Sequence, residues 1–170
     1  MTQPEETIFW LVPCAADAAR FQAIIDALAA NQGGPSFKPH MTLGAVRGST
    51  PQVERVVKAL TGVTLAPKEI DQTDLFTMSL FVRFHSSPAL NAGRDALESV
   101  PGFRTGRAFD PHLSLCYGQP ALRNAMTAEI QALLDKPVRF DRLVAMHIPL
   151  PVETHDDVRK WREVASHSID

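Results

Sequence analysis

Hydrophobic positions along the chain fall into alternating blocks of strand and helix. Thr7 to Val12 is a short apolar run that predicts a buried strand. Phe21, Ile24, Ile25 and Leu28 then fall at i, i+3, i+4 and i+7, the single stripe of a core-facing helix. Asn31-Gln32-Gly33-Gly34-Pro35 closes that helix, glycine before proline. Leu75 to Phe84 predicts another strand, followed by a helix over about 88–99 with a weaker stripe through Leu90 and Leu97. Thr50-Pro51 is a cap and first-turn pair for a helix burying Val53, Val56, Val57 and Leu60. A matching helix runs from about Pro120 to Leu134, with Leu122, Met126, Ile130 and Leu133 or Leu134 inward. Strands near 139–148 and 161–168 end the chain. The segment 149–157 between them reads as a turn or surface loop, and 99–107 as a mobile loop.

These blocks repeat. Phe37-Lys38-Pro39-His40-Met41-Thr42-Leu43 returns 72 positions later as Phe109-Asp110-Pro111-His112-Leu113-Ser114-Leu115. Phe, Pro, His and Leu are identical, Met answers Leu, and Thr answers Ser. Strand, helix, strand, helix, strand is thus written twice, which predicts an α+β protein of two related lobes, each a small sheet backed by helices. No Gly/Ser linker divides the halves, so residues 1–170 are expected to form one domain with two pseudo-symmetric lobes.

Alternate residues of a strand share a face, so His40 and Thr42 point one way while Met41 and Leu43 pack inward. His112, Ser114 and Cys116 share a face likewise. If an approximate two-fold relates the lobes, two imidazoles and two hydroxyls meet across one cleft. That set suits phosphoryl chemistry: a neutral imidazole takes a proton from water, a protonated one gives its proton to the departing oxygen, and the hydroxyls hold the phosphate oxygens. A structural Phe-x-Pro turn, duplicated, would explain the Phe, Pro and Leu identities but not a histidine followed twice by a hydroxyl on the polar face. The remaining histidines lack this pattern: His85, His155 and His167 read as surface residues, and His147 as half-buried in its strand. Cys116 reads as a small buried residue.

The 17 Lys and Arg against 19 Asp and Glu give a net charge of −2, which argues against long nucleic acid as the partner but not against a nucleotide. Two cysteines form no disulfide framework. No metal-ligand spacing occurs, so neither metal nor cofactor is expected. The polar, acidic start and the short apolar run broken by Pro13 predict a cytoplasmic protein that spans no membrane, and a monomer.

One His-x-Thr/Ser motif in each half resembles the two-histidine (2H) phosphoesterase superfamily, over the whole chain. Within it, His112-Leu113-Ser114-Leu115-Cys116-Tyr117-Gly118 looks most like the second motif of the plant and yeast cyclic phosphodiesterases, and Trp161-Arg162-Glu163-Val164 looks like their last strand. The resemblance implies two small, mainly antiparallel sheets facing a central cleft with helices outside. It implies metal-independent opening of ADP-ribose 1″,2″-cyclic phosphate or nucleoside 2′,3′-cyclic phosphates. His40 and His112 would be the acid–base pair, Thr42 and Ser114 the phosphate ligands, and Trp10 and Tyr117 the lining of the nucleotide pocket. Strict alternation points Tyr117 away from His112, so it reaches the cleft only if the strand ends or bulges near Gly118. Arg104 and Arg107 are candidates to grip a second phosphate, with a solvated loop as the plainer reading. Two alternatives stay open: RNA end processing at 2′,3′-cyclic termini or 2′–5′ linkages, and a non-catalytic nucleotide-binding module.

Overall fold

The structure is a computed structural model describing residues 6–32, 34–48, 52–118 and 124–170. In chain order the elements are β1 (Glu6–Pro13), α1 (Ala15–Gln32), β2 (Met41–Arg47), α2 (Glu54–Ala59), β3 (Thr64–Leu65), β4 (Pro67–Gln72) and β5 (Leu80–Phe84). Then come α3 (Pro88–Glu98), β6 (His112–Cys116), α4 (Asn124–Ala132), β7 (Val138–His147), α5 (His155–Arg159) and β8 (Arg162–Ser168). This is the α+β order read from the sequence, with two antiparallel sheets.

Local chemistry explains most boundaries. The four stripe residues of α1 are all buried. Ser87 caps α3 by accepting from the Leu90 amide, with Pro88 in the first turn. Thr154 and Asp157 form a reciprocal capping box on α5, so a segment read as loop contains a short helix. The strand expected over 75–84 begins only at Leu80, because Phe76–Met78 wind into a 3₁₀ turn. Helix α2 starts at Glu54; the expected Thr50-Pro51 start, like Pro120 and Leu122, lies outside the described residues.

The first sheet runs β2-β1-β7-β3, with β8 also on β7, and the second runs β4-β5-β6. Each half therefore sends its closing strands to the other half's sheet: β4 from the first half, and β7 with β8 from the second. β4 leaves the first half to pair with β5, and β7 leaves the second half to pair with β1. The sheets are not the two halves of the sequence; one joins β5 and β6 to β4, and the other joins β1, β2 and β3 to β7 and β8. This exchange leaves the motif strands β2 and β6 neighbours at the junction of the sheets.

The duplication extends to an irregularity. β1 pairs Phe9 with Gly44 and Trp10 with Thr42, passing over Leu43. β5 pairs Leu80 with Cys116 and Phe81 with Ser114, passing over Leu115. Both bulges sit one residue beyond the motif hydroxyl, where they turn the strand and re-aim its side chains.

One apolar core lies behind both sheets, joining Phe9, Leu11 and Leu43 to Val82, Leu113 and Leu115 through the helices. The other face of β1 carries Ile8, Trp10 and Val12, which pack with Val144, Met146 and Ile148. Both faces of β1 are thus covered, which is why its sequence is continuously apolar. Each large side chain sealed this way contributes about 1.5–3 kcal/mol. Where α2 and α3 touch, Gly93 lets the Leu60 side chain approach so closely that an added Cβ would lie 2.4 Å from it. Gly93→Ala is expected to cost about 1–3 kcal/mol by overpacking, seen as a lower urea midpoint at unchanged slope.

No helix among the described residues is long and apolar enough to cross a membrane.

Candidate active site

Both histidines are oriented by their own chain. His40 Nδ1 lies 2.7 Å from the Lys38 carbonyl oxygen, and His112 Nδ1 lies 2.7 Å from that of Asp110. A carbonyl can only accept, so each Nδ1 carries a hydrogen and each neutral ring presents a bare Nε2. The Phe-x-Pro-His turn is what builds this contact twice: proline lends no amide hydrogen, and the residue before it supplies the oxygen.

His40, Thr42, His112 and Ser114 line one cavity of about 260 Å³ between the sheets, together with Trp10 and Tyr117. The two histidines, two hydroxyls and two pocket aromatics expected from the sequence are thus gathered in one place. Their surroundings differ. His40 is only 6% exposed, and the Trp10 indole stacks on it with ring centroids 3.6 Å apart and planes 13° apart. His112 is half-buried, with the Phe81 ring centroid 5.1 Å from its own and the planes 62° apart. Burial pushes the His40 pKa from 6.5 down to about 4, against the pull of the Lys38 carbonyl and helped by repulsion from a charge on His112.

Thr42 opens into the cavity, while Ser114 is buried and donates to the Thr77 carbonyl at 2.9 Å. Tyr117 reaches the cleft because β6 ends at Cys116 and Gly118 turns the chain at φ +80°. Its hydroxyl stands 3.5 Å from His40 Nε2, and burial raises its pKa, so it stays a protonated donor. Tyr117 packs against Phe37, Phe76 and Trp161. Trp10 is both wall and support, since one of its faces is spent on His40.

Other expectations are corrected. Cys116 does not continue the His112 and Ser114 face; the bulge turns it into the core, where burial lifts its thiol to about 11 and removes its nucleophilic use. Arg104 pairs with Glu6 at 2.6 Å and its amide bonds to Ala45, so the 99–107 loop is tied to β2 and neither Arg104 nor Arg107 lines the cavity. His155 is not a free surface residue; it packs against Phe76. Among the described residues no three His, Cys, Asp or Glu side chains come together as a metal cage.

Trp161 was absent from the sequence-based site. It stands edge-on to Trp10, His40 and Tyr117, and Ile148, Leu150 and Val152 extend the same wall. Arg83 was likewise silent. It lies opposite His112 across β5 and β6, and its guanidinium grips Asp110 at 2.9 and 3.0 Å, with Glu69 and Asp71 each at 2.7 Å. Three carboxylates on one arginine fix the residue whose carbonyl orients His112.

Fold and cleft together define a duplicated α+β protein in which each half presents a His-x-hydroxyl strand to a shared cavity. The architecture is that of LigT from E. coli. The LigT structure complexed with 3′-AMP matches 98% of this chain and 99% of its own at TM-score 0.53 and 14% identity. The apo form matches 98% of both chains at TM-score 0.50 and 15% identity. No family model and no curated protein matches the sequence.

Proposed function

We propose that the chain is a two-histidine phosphoesterase that opens a cyclic phosphodiester, a nucleoside 2′,3′-cyclic phosphate or ADP-ribose 1″,2″-cyclic phosphate, to a phosphomonoester. What carries this reading is the pair of imidazoles, each with Nδ1 committed to its own backbone and both lining one cavity. The nucleotide substrate is supported by the fold shared with LigT, a protein solved with 3′-AMP.

His40 is the base and His112 the acid. The sealed, neutral His40 takes a proton from water at Nε2 while the water oxygen forms a bond to phosphorus. The ester bond to one ring oxygen breaks, and His112 gives that oxygen the proton. Thr42 donates to a non-bridging oxygen as charge builds on it, and Ser114 donates to the other once its hydroxyl turns from the Thr77 carbonyl. An approaching phosphate anion raises the pKa of His40 from its value in the empty cleft, towards the working pH where a base is most effective. Because the histidines and hydroxyls carry every proton and hold every charge, turnover is expected to persist in excess EDTA; its loss would refute the metal-free scheme.

The test is incubation with each cyclic phosphate and phosphorus NMR of the product. A new monoester resonance is the expected result; unchanged cyclic phosphate in every case would overturn the assignment. Arg83 is a positioning residue in this scheme. Arg83→Met is expected to lower kcat about tenfold with KM nearly unchanged, because a loosened Asp110 lets the His112 ring drift. An equal change in both constants would count against that role.

A further inference from the structure

We propose that Arg94 is a positioning residue that yokes the two motif arms, fixing how the His40 strand stands relative to the His112 turn. The inference rests on the reaction proposed above and adds to it a residue outside the cavity.

Arg94 lies on α3, with its side chain 15% exposed. Its Nη1 donates at 2.6 Å to the carbonyl of Leu43, the residue directly after Thr42. The bulge leaves Leu43 without a partner residue on β1, and Arg94 supplies a donor to it from the side. The guanidinium carbon stands 4.7 Å from the ring centroid of Phe109, which opens the second motif, and 5.0 Å from that of Phe103. Glu98, one turn along the helix, accepts from Nε at 2.9 Å and fixes which way the planar group faces. One half-buried cation thus touches the strand that carries Thr42 and the turn that carries His112.

The duplication supplies a comparison. Gln22 and Phe37 are fifteen residues apart, as are Arg94 and Phe109. Gln22, on α1, donates at 3.0 Å to the Phe37 carbonyl and so braces its own motif. Arg94, at the same spacing in the second half, covers its own motif's phenylalanine and also reaches into the first half's strand. The amide serves one arm; the guanidinium serves two.

Little slack surrounds this junction. A Cβ added at Gly44 would lie 2.8 Å from Phe103 and 3.0 Å from Leu97, so α3 and the loop after it are seated directly on β2 beyond Thr42. A change at Arg94 is therefore passed to both arms. Proton transfer at two sides of one phosphorus is sensitive to such a change, since a misplacement of about 1 Å can cost a hundredfold.

The experiment measures kcat and KM with adenosine 2′,3′-cyclic phosphate for Arg94→Met, Arg94→Lys, Phe109→Leu and the Arg94→Met/Phe109→Leu pair, each well below its unfolding temperature. Arg94→Met is expected to lower kcat/KM about tenfold, mostly in kcat. Arg94→Lys keeps a charge and a donor but loses the planar face, so its loss should be about threefold. Arg94→Met and Phe109→Leu remove one contact from its two sides, so together they should cost little more than either alone. Losses that multiply, a lysine no better than methionine, or a lower urea midpoint with kcat unchanged would each overturn the proposal.

Binding of 3′-AMP gives a readout that needs no turnover, followed by the fluorescence of Trp10 and Trp161, which line the cavity. The same order of variants and the same non-additivity are expected there, on a scale of about threefold. That pattern without turnover of any cyclic phosphate would support the yoke and sink the reaction. Turnover with rates and affinities equal across the variants would sink the yoke and leave the reaction standing.

Discussion

His112→Ala is expected to lower kcat by about 10²–10⁴-fold, the span of a lost proton transfer. Of the two histidines it is the cleaner probe. Its ring is half-buried, and among the described residues its hydrogen bond is to the Asp110 carbonyl and its aromatic neighbour is Phe81. Truncation therefore removes the proposed acid and leaves the core as it was. The departing oxygen must then leave as an alkoxide or take its proton from solvent, so the loss belongs to kcat with little change in KM. The loss should shrink for a substrate with a better leaving group, such as an aryl phosphodiester, which needs no proton. A variant as active as the parent protein would remove His112 from the mechanism. Adding His40→Ala should cost much less than the product of the two single losses, because base and acid act in one transition state.

The second large effect is on stability. The His40 pKa lies at about 4 in the folded protein against 6.5 for a free imidazole. Between these values the unfolded chain binds a proton that the folded one refuses, so stability rises with pH across this window. It is fully present above about pH 6.5, falls as the pH drops, and is fully lost below about pH 4. At roughly 1.4 kcal/mol per pH unit the loss is about 3 kcal/mol. Urea unfolding at pH 7, 5.5 and 4 measures it. Carboxylates such as Asp71 and Asp157, held low by their own hydrogen bonds, add an acid-side loss of their own. The His40→Asn variant isolates the histidine: its amide can still donate to the Lys38 carbonyl, but it does not titrate. The difference between the two curves should narrow by about 3 kcal/mol from pH 7 to 4. Parallel curves would show that His40 is protonated in the folded state as readily as in the unfolded one.

The sequence carried the chemistry more clearly than the architecture. A seven-residue pattern, read twice, holds both histidines, both hydroxyls and the carbonyls that orient the rings, because all of these are local to one turn and one strand. The stripes of α1 and α3 were legible for the same reason. Strand exchange was not: β4 and β7 follow their own halves in the chain, and no periodicity states which sheet edge a strand will join. Tyr117 shows the limit within the motif itself. Alternation alone pointed it away from His112, whereas the bulge at Leu115 and the turn at Gly118 bring it round. Trp161 and Arg83 reach the site through pairing across strands far apart in sequence, so nothing next to them announced their roles. His155 was misread because packing on Phe76 is a contact between distant segments.

The exchange of strands between the sheets has a consequence for what each half could be alone. Cut at the repeat boundary, the first piece keeps only the β1–β2 pair and the second only the separate pairs β5–β6 and β7–β8, each with bare edges and too little for a stable sheet. To recover the missing strands either piece would have to borrow from a twin, giving a swapped homodimer whose paired imidazoles sit in identical surroundings. A single polypeptide is free of that equivalence. Here lysine precedes one Pro-His and aspartate the other, and one ring is sealed under indole while its counterpart stays open to water. Covalent fusion is thus what allows a symmetric frame to house two histidines in unlike surroundings, as the proposed base and acid require.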